Sequence, residues 1–232
     1  MLSSLGFFRL IEPSSSEPTD TIARLEPSSI IFGPRGCVGE TFTLTVHIDN
    51  VSDLWTVGIE ITWNATVFDY VGHVTKIPRN TYPDGILWEP IIQVVDGLVQ
   101  DGEFELLYGI LYGIPFSGSG IVCEVTFEIE YQPLQNEPNQ NFTMEWVSAI
   151  RNETDWIPHL QENCTITINA LPSPDVNNDG TVDIFDIVSV ASIYGHTEID
   201  IDWNPWADLA PEWGIIDIFD IVTCASHYGE TY

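Results

Sequence analysis

Near its C-terminus the chain repeats itself. Gly180-Thr-Val-Asp-Ile-Phe-Asp-Ile-Val-Ser-Val-Ala-Ser-Ile-Tyr-Gly-His-Thr197 matches Gly214-Ile-Ile-Asp-Ile-Phe-Asp-Ile-Val-Thr-Cys-Ala-Ser-His-Tyr-Gly-Glu-Thr231 at 12 of 18 positions, at an offset of 34. Each copy is a carboxylate-bearing turn followed by a stretch with helical spacing. Ile187, Val190, Ala191 and Tyr194 form one apolar stripe, and Ile221, Cys224, Ala225 and Tyr228 repeat it. Gly195 and Gly229 stand where a helix stops. Neither half-unit can bury its stripe alone, so the two are expected to pack on each other.

The turn of the first copy carries the chemistry. Asp175-Val-Asn177-Asn-Asp179-Gly180-Thr181-Val-Asp183-Ile-Phe-Asp186 fills a twelve-residue loop of EF-hand type. Oxygen side chains stand at loop positions 1, 3, 5, 9 and 12, and Gly180 stands at position 6, where the chain must turn sharply. Thr181 at position 7 offers its carbonyl. A hard Ca²⁺ ion takes six to eight oxygens, and this spacing wraps them around one point. Position 12 is Asp186, whose arm is shorter than the usual Glu. The second copy is less regular. Gly214, the Ile215 carbonyl, Asp217 and Asp220 match positions 6, 7, 9 and 12, but Asp208-Leu-Ala-Pro-Glu212-Trp213 upstream has one residue too many. Asp208 is read as position 1 and Glu212 as lying near position 5, with Asp202 and Asn204 as oxygens that could fold back. Two Ca²⁺ ions are therefore expected, one for each loop.

Upstream the period changes from helical to two. Phe42, Leu44, Val46 and Ile48 share one face. So do Trp55, Val57, Ile59, Ile61 and Trp63; so do Phe104, Leu106, Tyr108, Ile110 and Tyr112; and so do Ile121, Cys123, Val125 and Phe127. Turn signals separate these runs, and no helical stretch lies between them. Half-buried strands of this kind predict an antiparallel β-sandwich over 22–170. The chain is thus mainly β with a small α module. A flexible N-terminal tail is expected at 1–21, with a polar Ser/Pro tether over 12–20, a short stiff linker at Leu171-Pro-Ser-Pro174, and the repeat module at 175–232.

Charge narrows the partners. Lys+Arg total 6 and Asp+Glu 35, for a net charge of −29, and no Lys or Arg follows Arg151. Nucleic acid and anionic membrane surfaces repel such a chain. No apolar run approaches ~18 residues, so no membrane-spanning helix is expected. Five N-x-[ST] sequons, at Asn50, Asn64, Asn141, Asn152 and Asn163, point to export and glycosylation. Met1-Leu-Ser-Ser-Leu-Gly-Phe-Phe lacks the basic start of a secretory signal, so the chain is read as mature or clipped. Of four cysteines, Cys123 and Cys164 alternate with core residues, Cys224 replaces Val190 in the repeat, and Cys37 is loop-borne. One disulfide pairing considered is Cys37–Cys164.

On the duplicated D-x-N-x-D-G-x-x-D-x-x-D loop, residues 175–232 resemble a type I dockerin. On Val38-Gly-Glu-Thr-Phe-Thr-Leu-Thr-Val, Asn50-Val-Ser-Asp-Leu-Trp, Ile61-Thr-Trp-Asn-Ala-Thr-Val-Phe and Gly118-Ser-Gly-Ile-Val-Cys-Glu-Val-Thr-Phe, residues 24–169 resemble a cohesin. The two-module plan, with Asp-Trp-Asn-Pro before Ile-Asp-Ile-Phe-Asp, is similar to archaeal secreted proteins. The resemblance implies a nine-stranded jelly-roll sandwich and calcium-dependent, non-catalytic docking outside the cell or at its surface. The implied partner is a cohesin-like domain of the same or another protein, with self-association included. In type I dockerins positions 10 and 11 often read the partner, typically as Ser-Thr. Here they are Ile184-Phe185 and Ile218-Phe219, which makes the contact apolar unless both phenylalanines are core.

No Ser-His-Asp order, H-E-x-x-H, P-loop or GxGxxG occurs. His47 is expected to be solvated on the polar face of its strand. Glu103/Glu105 and Glu128/Glu130 read as solvated rows rather than glycosidase pairs. Eight tryptophans keep a second reading open, in which the sandwich is a polysaccharide-binding module and the repeat module tethers it. Trp55 and Trp63 are expected in the core, Trp203, Trp206 and Trp213 over the second loop, and Trp88, Trp146 and Trp156 are undecided.

Overall fold

The computed structural model describes residues 20–33, 36–88, 91–110, 113–134, 137 and 140–232. The tail expected at 1–21 lies outside them but for its last two residues, and Tyr112 also lies outside. Eleven strands run in order: β1 Ile22–Glu26, β2 Ser29–Phe32, β3 Thr41–Leu54, β4 Thr56–Thr62, β5 Phe68–Thr75, β6 Ile91–Gln100, β7 Glu103–Ile110, β8 Phe116–Ile129, β9 Gln140–Arg151, β10 Leu160–Glu162 and β11 Cys164–Ile168. Two helices follow, α1 Ile184–Ser192 and α2 Ile218–Ser226, with a 3-10 turn at Pro205–Ala207 between them. Among the described residues no helix is long and apolar enough to cross a membrane.

The strands form a five-stranded sheet, β10-β1-β3-β8-β5, and a six-stranded sheet, β2-β11-β9-β4-β7-β6. Eleven strands stand where the resemblance implies nine, and two pairs run parallel where antiparallel pairing is expected: β1 with β10 and β2 with β11. Both differences have one origin. The first strand leaves one sheet after Glu26 and continues in the other as β2. The last strand does the same at Asn163, passing from β10 to β11. Counted once each, the two switching strands return the count to nine. They lie side by side through the switch, so the chain's two end strands cover each other's edges.

The alternating residues face inward as expected. Phe42, Leu44, Val46, Val57, Ile59, Ile61, Phe104, Leu106, Val125 and Phe127 are all buried. Aromatic rings knit the core: Phe42 meets Phe68 and Phe127 at 5.6 Å between centroids, and Trp63 meets Phe127 edge-on at 5.0 Å. Such contacts add about 0.5–1.5 kcal/mol per pair beyond area burial. Three expectations need correction. A bulge opposite Val46/His47 shifts the phase of β8, so Val122 is buried beside Cys123 while Ile121 is half-exposed. His47 is not solvated; its Nε2 lies 2.9 Å from Glu26. Desolvation, with Arg24 beside it, lowers its pKa. All four cysteines are buried and free, so Cys37 and Cys164 are not joined. Cys37 does sit in a loop, but its N–H donates to Gln132 Oε1 at 2.9 Å and burial pushes its thiol up to about 11.

Residues 171–174 are anchored rather than free. The Leu171 N–H donates to the Pro133 carbonyl at 2.7 Å, and the Cys224 thiol donates to the Pro174 carbonyl at 3.4 Å. Beyond them lies a second, small core of Val176, Val182, Val190, Ala207, Ile216 and Cys224. The two copies exchange their ends here. Gly195 N–H donates to the Ile216 carbonyl at 2.8 Å and Ile216 N–H to that of His196 at 2.9 Å. Gly229 and Val182 N–H repeat this, to the carbonyls of Val182 and Glu230, at 2.8 and 2.9 Å. The expected mutual packing is therefore present, with an approximate two-fold relation between the copies.

Candidate metal centre

In the first loop Asp175, Asn177, Asp179, Asp183 and Asp186 each hold a backbone group. Asp175 accepts the N–H groups of Asp179 at 3.1 Å and Gly180 at 2.8 Å. Asn177 Oδ1 accepts the Asp179 N–H at 2.8 Å, and Asp179 Oδ1 that of Thr181 at 3.1 Å. Asp186 reaches back from the first turn of α1 to accept Asn177 N–H at 3.1 Å and Asp183 N–H at 2.8 Å. Asp183 caps α1 by accepting the Phe185 N–H at 2.7 Å, which completes a capping box. Gly180 sits at φ 92°, where a side chain would be strained.

The second loop repeats this scheme with its extra residue in a definite place. Asp208 Oδ2 accepts the Gly214 N–H at 2.8 Å, six residues on, where Asp175 Oδ2 spans five to Gly180. Asp220 accepts from Leu209 at 2.7 Å, Ala210 at 2.9 Å and Asp217 at 2.6 Å. Asp217 caps α2 on the Phe219 N–H at 2.7 Å. The longer loop thus keeps the two ends of the first, and the extra residue lies between Asp208 and Gly214. Glu212 is exposed within that span. Ile215 pairs with Thr197 in an antiparallel bridge, as Thr181 pairs with Thr231. Asp202 is exposed, and Asn204 Oδ1 caps the 3-10 turn on the Trp206 N–H at 3.1 Å.

Among the described residues no group of three or more His, Cys, Asp and Glu side chains is already gathered as a metal cage. The carboxylates face backbone N–H groups instead. Their burial is what suits them to a cation. Asp175, Asp186, Asp208 and Asp220 are buried, at 3, 0, 4 and 1% exposure. The module holds 12 acidic residues and no Lys or Arg. Buried carboxylates gain from a nearby cation, and hard oxygen donors at this spacing suit a divalent ion of the Ca²⁺ class.

Beside each loop the helix turns an apolar face to solvent. Ile184, Phe185 and Val188 on α1, and Ile218, Phe219 and Val222 on α2, are exposed, Phe185 at 66% and Phe219 at 57%. The phenylalanines are therefore not core. Val188 and Val222 escape the sequence reading, although each stands one turn beyond Ile184 or Ile218. Half of the expected stripe is inward: Ile187 and Val190, and Ile221 and Cys224, pack in the small core. Asp186 and Ile193 also face inward on α1, while Ala191 and Tyr194 are exposed; on α2 Asp220 does, while Ala225 and Tyr228 are exposed. An aspartate inside the stripe sets the phase, because Asp186 and Asp220 must reach the loops.

Elsewhere, the sequon asparagines Asn50, Asn64, Asn141 and Asn163 are exposed and Asn152 is half-buried. Trp146 is buried and Trp63 packs on the sandwich core, whereas Trp55 is half-buried and Trp88 and Trp156 are exposed. Trp203 packs on the small core, and Trp206 and Trp213 are half-buried.

No family model matches the chain, and no curated protein matches it. Solved structures do resemble it. A non-cellulosomal cohesin from the hyperthermophilic archaeon Archaeoglobus fulgidus is 14% identical, with a TM-score of 0.47 over 65% of this chain and 92% of that one. A chain of a type I cohesin–dockerin complex from Clostridium thermocellum is 10% identical, with a TM-score of 0.47 over 66% and 94%. CaCohA2 from Clostridium acetobutylicum is 17% identical, with a TM-score of 0.45 over 65% and 92%. A likeness of this size settles neither function nor partner.

Proposed function

We propose that residues 175–232 are a calcium-loaded docking module and that the chain is a non-catalytic adaptor working outside the cell. One observation carries the reading. Two related loops each bury a pair of carboxylates in a module without Lys or Arg, and each loop leads into a helix that exposes Ile-Phe. Asp175, Asn177, Asp179, the Thr181 carbonyl, Asp183 and Asp186 would hold one ion. Asp208, Glu212, the Ile215 carbonyl, Asp217 and Asp220 would hold the second, with Asp202 and Asn204 as further oxygens. Bound Ca²⁺ supplies positive charge that offsets the clustered carboxylates. The Asp183 and Asp217 caps then fix the helix starts, and Ile184, Phe185, Ile218 and Phe219 are held out as a desolvatable surface for a cohesin-like partner.

Residues 171–174 reach at most roughly 14 Å at ~3.3–3.6 Å per residue. So short a tether disfavours docking back onto a distant face of the same sandwich. A plug and socket on one chain then meet between chains, and a head-to-tail contact that does not close a ring propagates as a filament. Light scattering at rising concentration in millimolar Ca²⁺ tests this. The expected outcome is a mass that grows with concentration and falls to the monomer on adding chelator. A monomeric mass at about 100 µM, well above a micromolar Kd worth about 8 kcal/mol, rules out self-assembly and assigns docking to a different protein.

A further inference from the structure

We infer that the turn between β9 and β10 carries a binding site for a neutral pyranose polymer, separate from the calcium module. Trp156 is 59% exposed, the most exposed tryptophan among the described residues. An exposed indole offers a flat apolar face with a polar N–H at its edge. It is also held rigidly. Trp156 pairs with Arg151 in an antiparallel bridge, its backbone N–H donates to Asp155 Oδ1 at 2.8 Å, and the turn is closed by the Asp155 backbone N–H on Asn152 Oδ1 at 2.7 Å. The Arg151 guanidinium lies over the ring, 4.8 Å from its centroid. Arg151 thus orients the indole and leaves the rest of its surface to solvent.

The same arginine lines a cleft of about 480 Å³ with Trp55, Thr56, Asn152 and Glu153. Trp55 is fixed by backbone bonds to two neighbouring strands, donating to the Arg151 carbonyl at 2.8 Å and accepting from Ile110 at 2.9 Å. The cleft lining thus offers one indole, a five-donor guanidinium, a carboxylate and a hydroxyl, and the same guanidinium carries the Trp156 ring beside it. This set suits a sugar ring, which offers apolar C–H faces and a rim of hydroxyls that both donate and accept. A purely apolar segment would leave Arg151 and Glu153 unmatched. An anionic polymer would meet Glu153 and Asp155 on a chain of net charge −29.

The test is affinity electrophoresis of the full chain in gels containing hydroxyethylcellulose or galactomannan, with dextran sulfate as the charged control, in Ca²⁺ and in EDTA. At least one neutral polymer is expected to retard the protein, equally with and without Ca²⁺. Trp156→Ala should weaken that retardation by at least ~10-fold, as expected of a stacking tryptophan. Trp156→Phe, which keeps an aromatic face, should retain most of it. Phe185→Ser should leave it unchanged, so failure of the docking module and failure of this site are told apart. Retardation by neither neutral polymer, or by dextran sulfate alone, overturns the proposal. So does a Trp156→Ala protein that binds as the parent does, or a Trp156→Phe protein as weak as Trp156→Ala.

Discussion

Residues 22–170 fold around Phe42, Phe68, Phe104 and Phe127, whereas residues 175–232 fold around Val182, Ile216 and four buried aspartates. The first core is apolar throughout and closes over its own ends, because β1–β2 and β10–β11 cover each other. The second has six buried apolar residues and carries charge into its interior without a Lys or Arg. Burial of apolar area stabilises the sandwich unaided. A 58-residue module is small for a core of its own, and anything that binds only its folded form shifts its stability by mass action. On the function proposed above, the difference is that between a self-sufficient scaffold and a part completed by its ligand.

The largest effect that sharpens this contrast is on the sandwich. Phe127→Ala opens a cavity against Phe42 and Trp63 and should cost about 3–5 kcal/mol. Denaturant melts followed through β-sheet signal should show this loss, with calcium uptake unchanged. Next come the aspartates. Asp220→Ala leaves three N–H groups without their acceptor, of which only that of Ala210 is fully buried, and should cost about 1–3 kcal/mol; Asp186→Ala leaves two part-buried ones and should cost less. Calcium titration calorimetry should show Asp175→Ala and Asp186→Ala losing more affinity than Asp208→Ala, whose loop is the irregular one. Smaller still are the caps. Asp183→Ala and Asp217→Ala each remove an N-cap and should destabilise the module alike, by about 1 kcal/mol each, read as a lowered thermal midpoint. Smallest in stability is Phe185→Ser or Phe219→Ser, within about 0.5 kcal/mol of the parent, since both side chains are exposed. These two should instead weaken calcium-dependent association, read as scattering mass. Equal association with both phenylalanines replaced would remove the helix faces from the contact.

Much of this was legible because period two and a twelve-residue oxygen pattern are local signals. Phe42 to Ile48, Val57 to Ile61 and the Gly180 turn all stand where spacing puts them. What escaped was non-local or ran against residue type. Pairing partners leave no period, so the parallel switch of the end strands through Glu26 and Asn163 left no mark. In the helix stripes Ile187, Val190, Ile221 and Cys224 were placed rightly, whereas Asp186 and Asp220 look like surface residues but face inward, and Ala191, Tyr194, Ala225 and Tyr228 face out. His47 alternates with apolar neighbours and so reads as wet, yet Glu26 and Arg24 on β1 crowd it from the next strand. Phe185 stands on the face of α1 that the inward Asp186 leaves to solvent, so exposure of the Ile-Phe pairs could be decided only once Asp186 was placed.

The claim that calcium completes the module is met most directly by amide NMR of the full chain with Ca²⁺ and then with excess chelator. The account predicts that EDTA collapses the resonances of 175–232 into the unfolded range, while the dispersed sandwich resonances stay. It also predicts that two equivalents of Ca²⁺ restore the module. Dispersed, unshifted resonances for Val182, Val190, Ile216 and Cys224 in EDTA would contradict it.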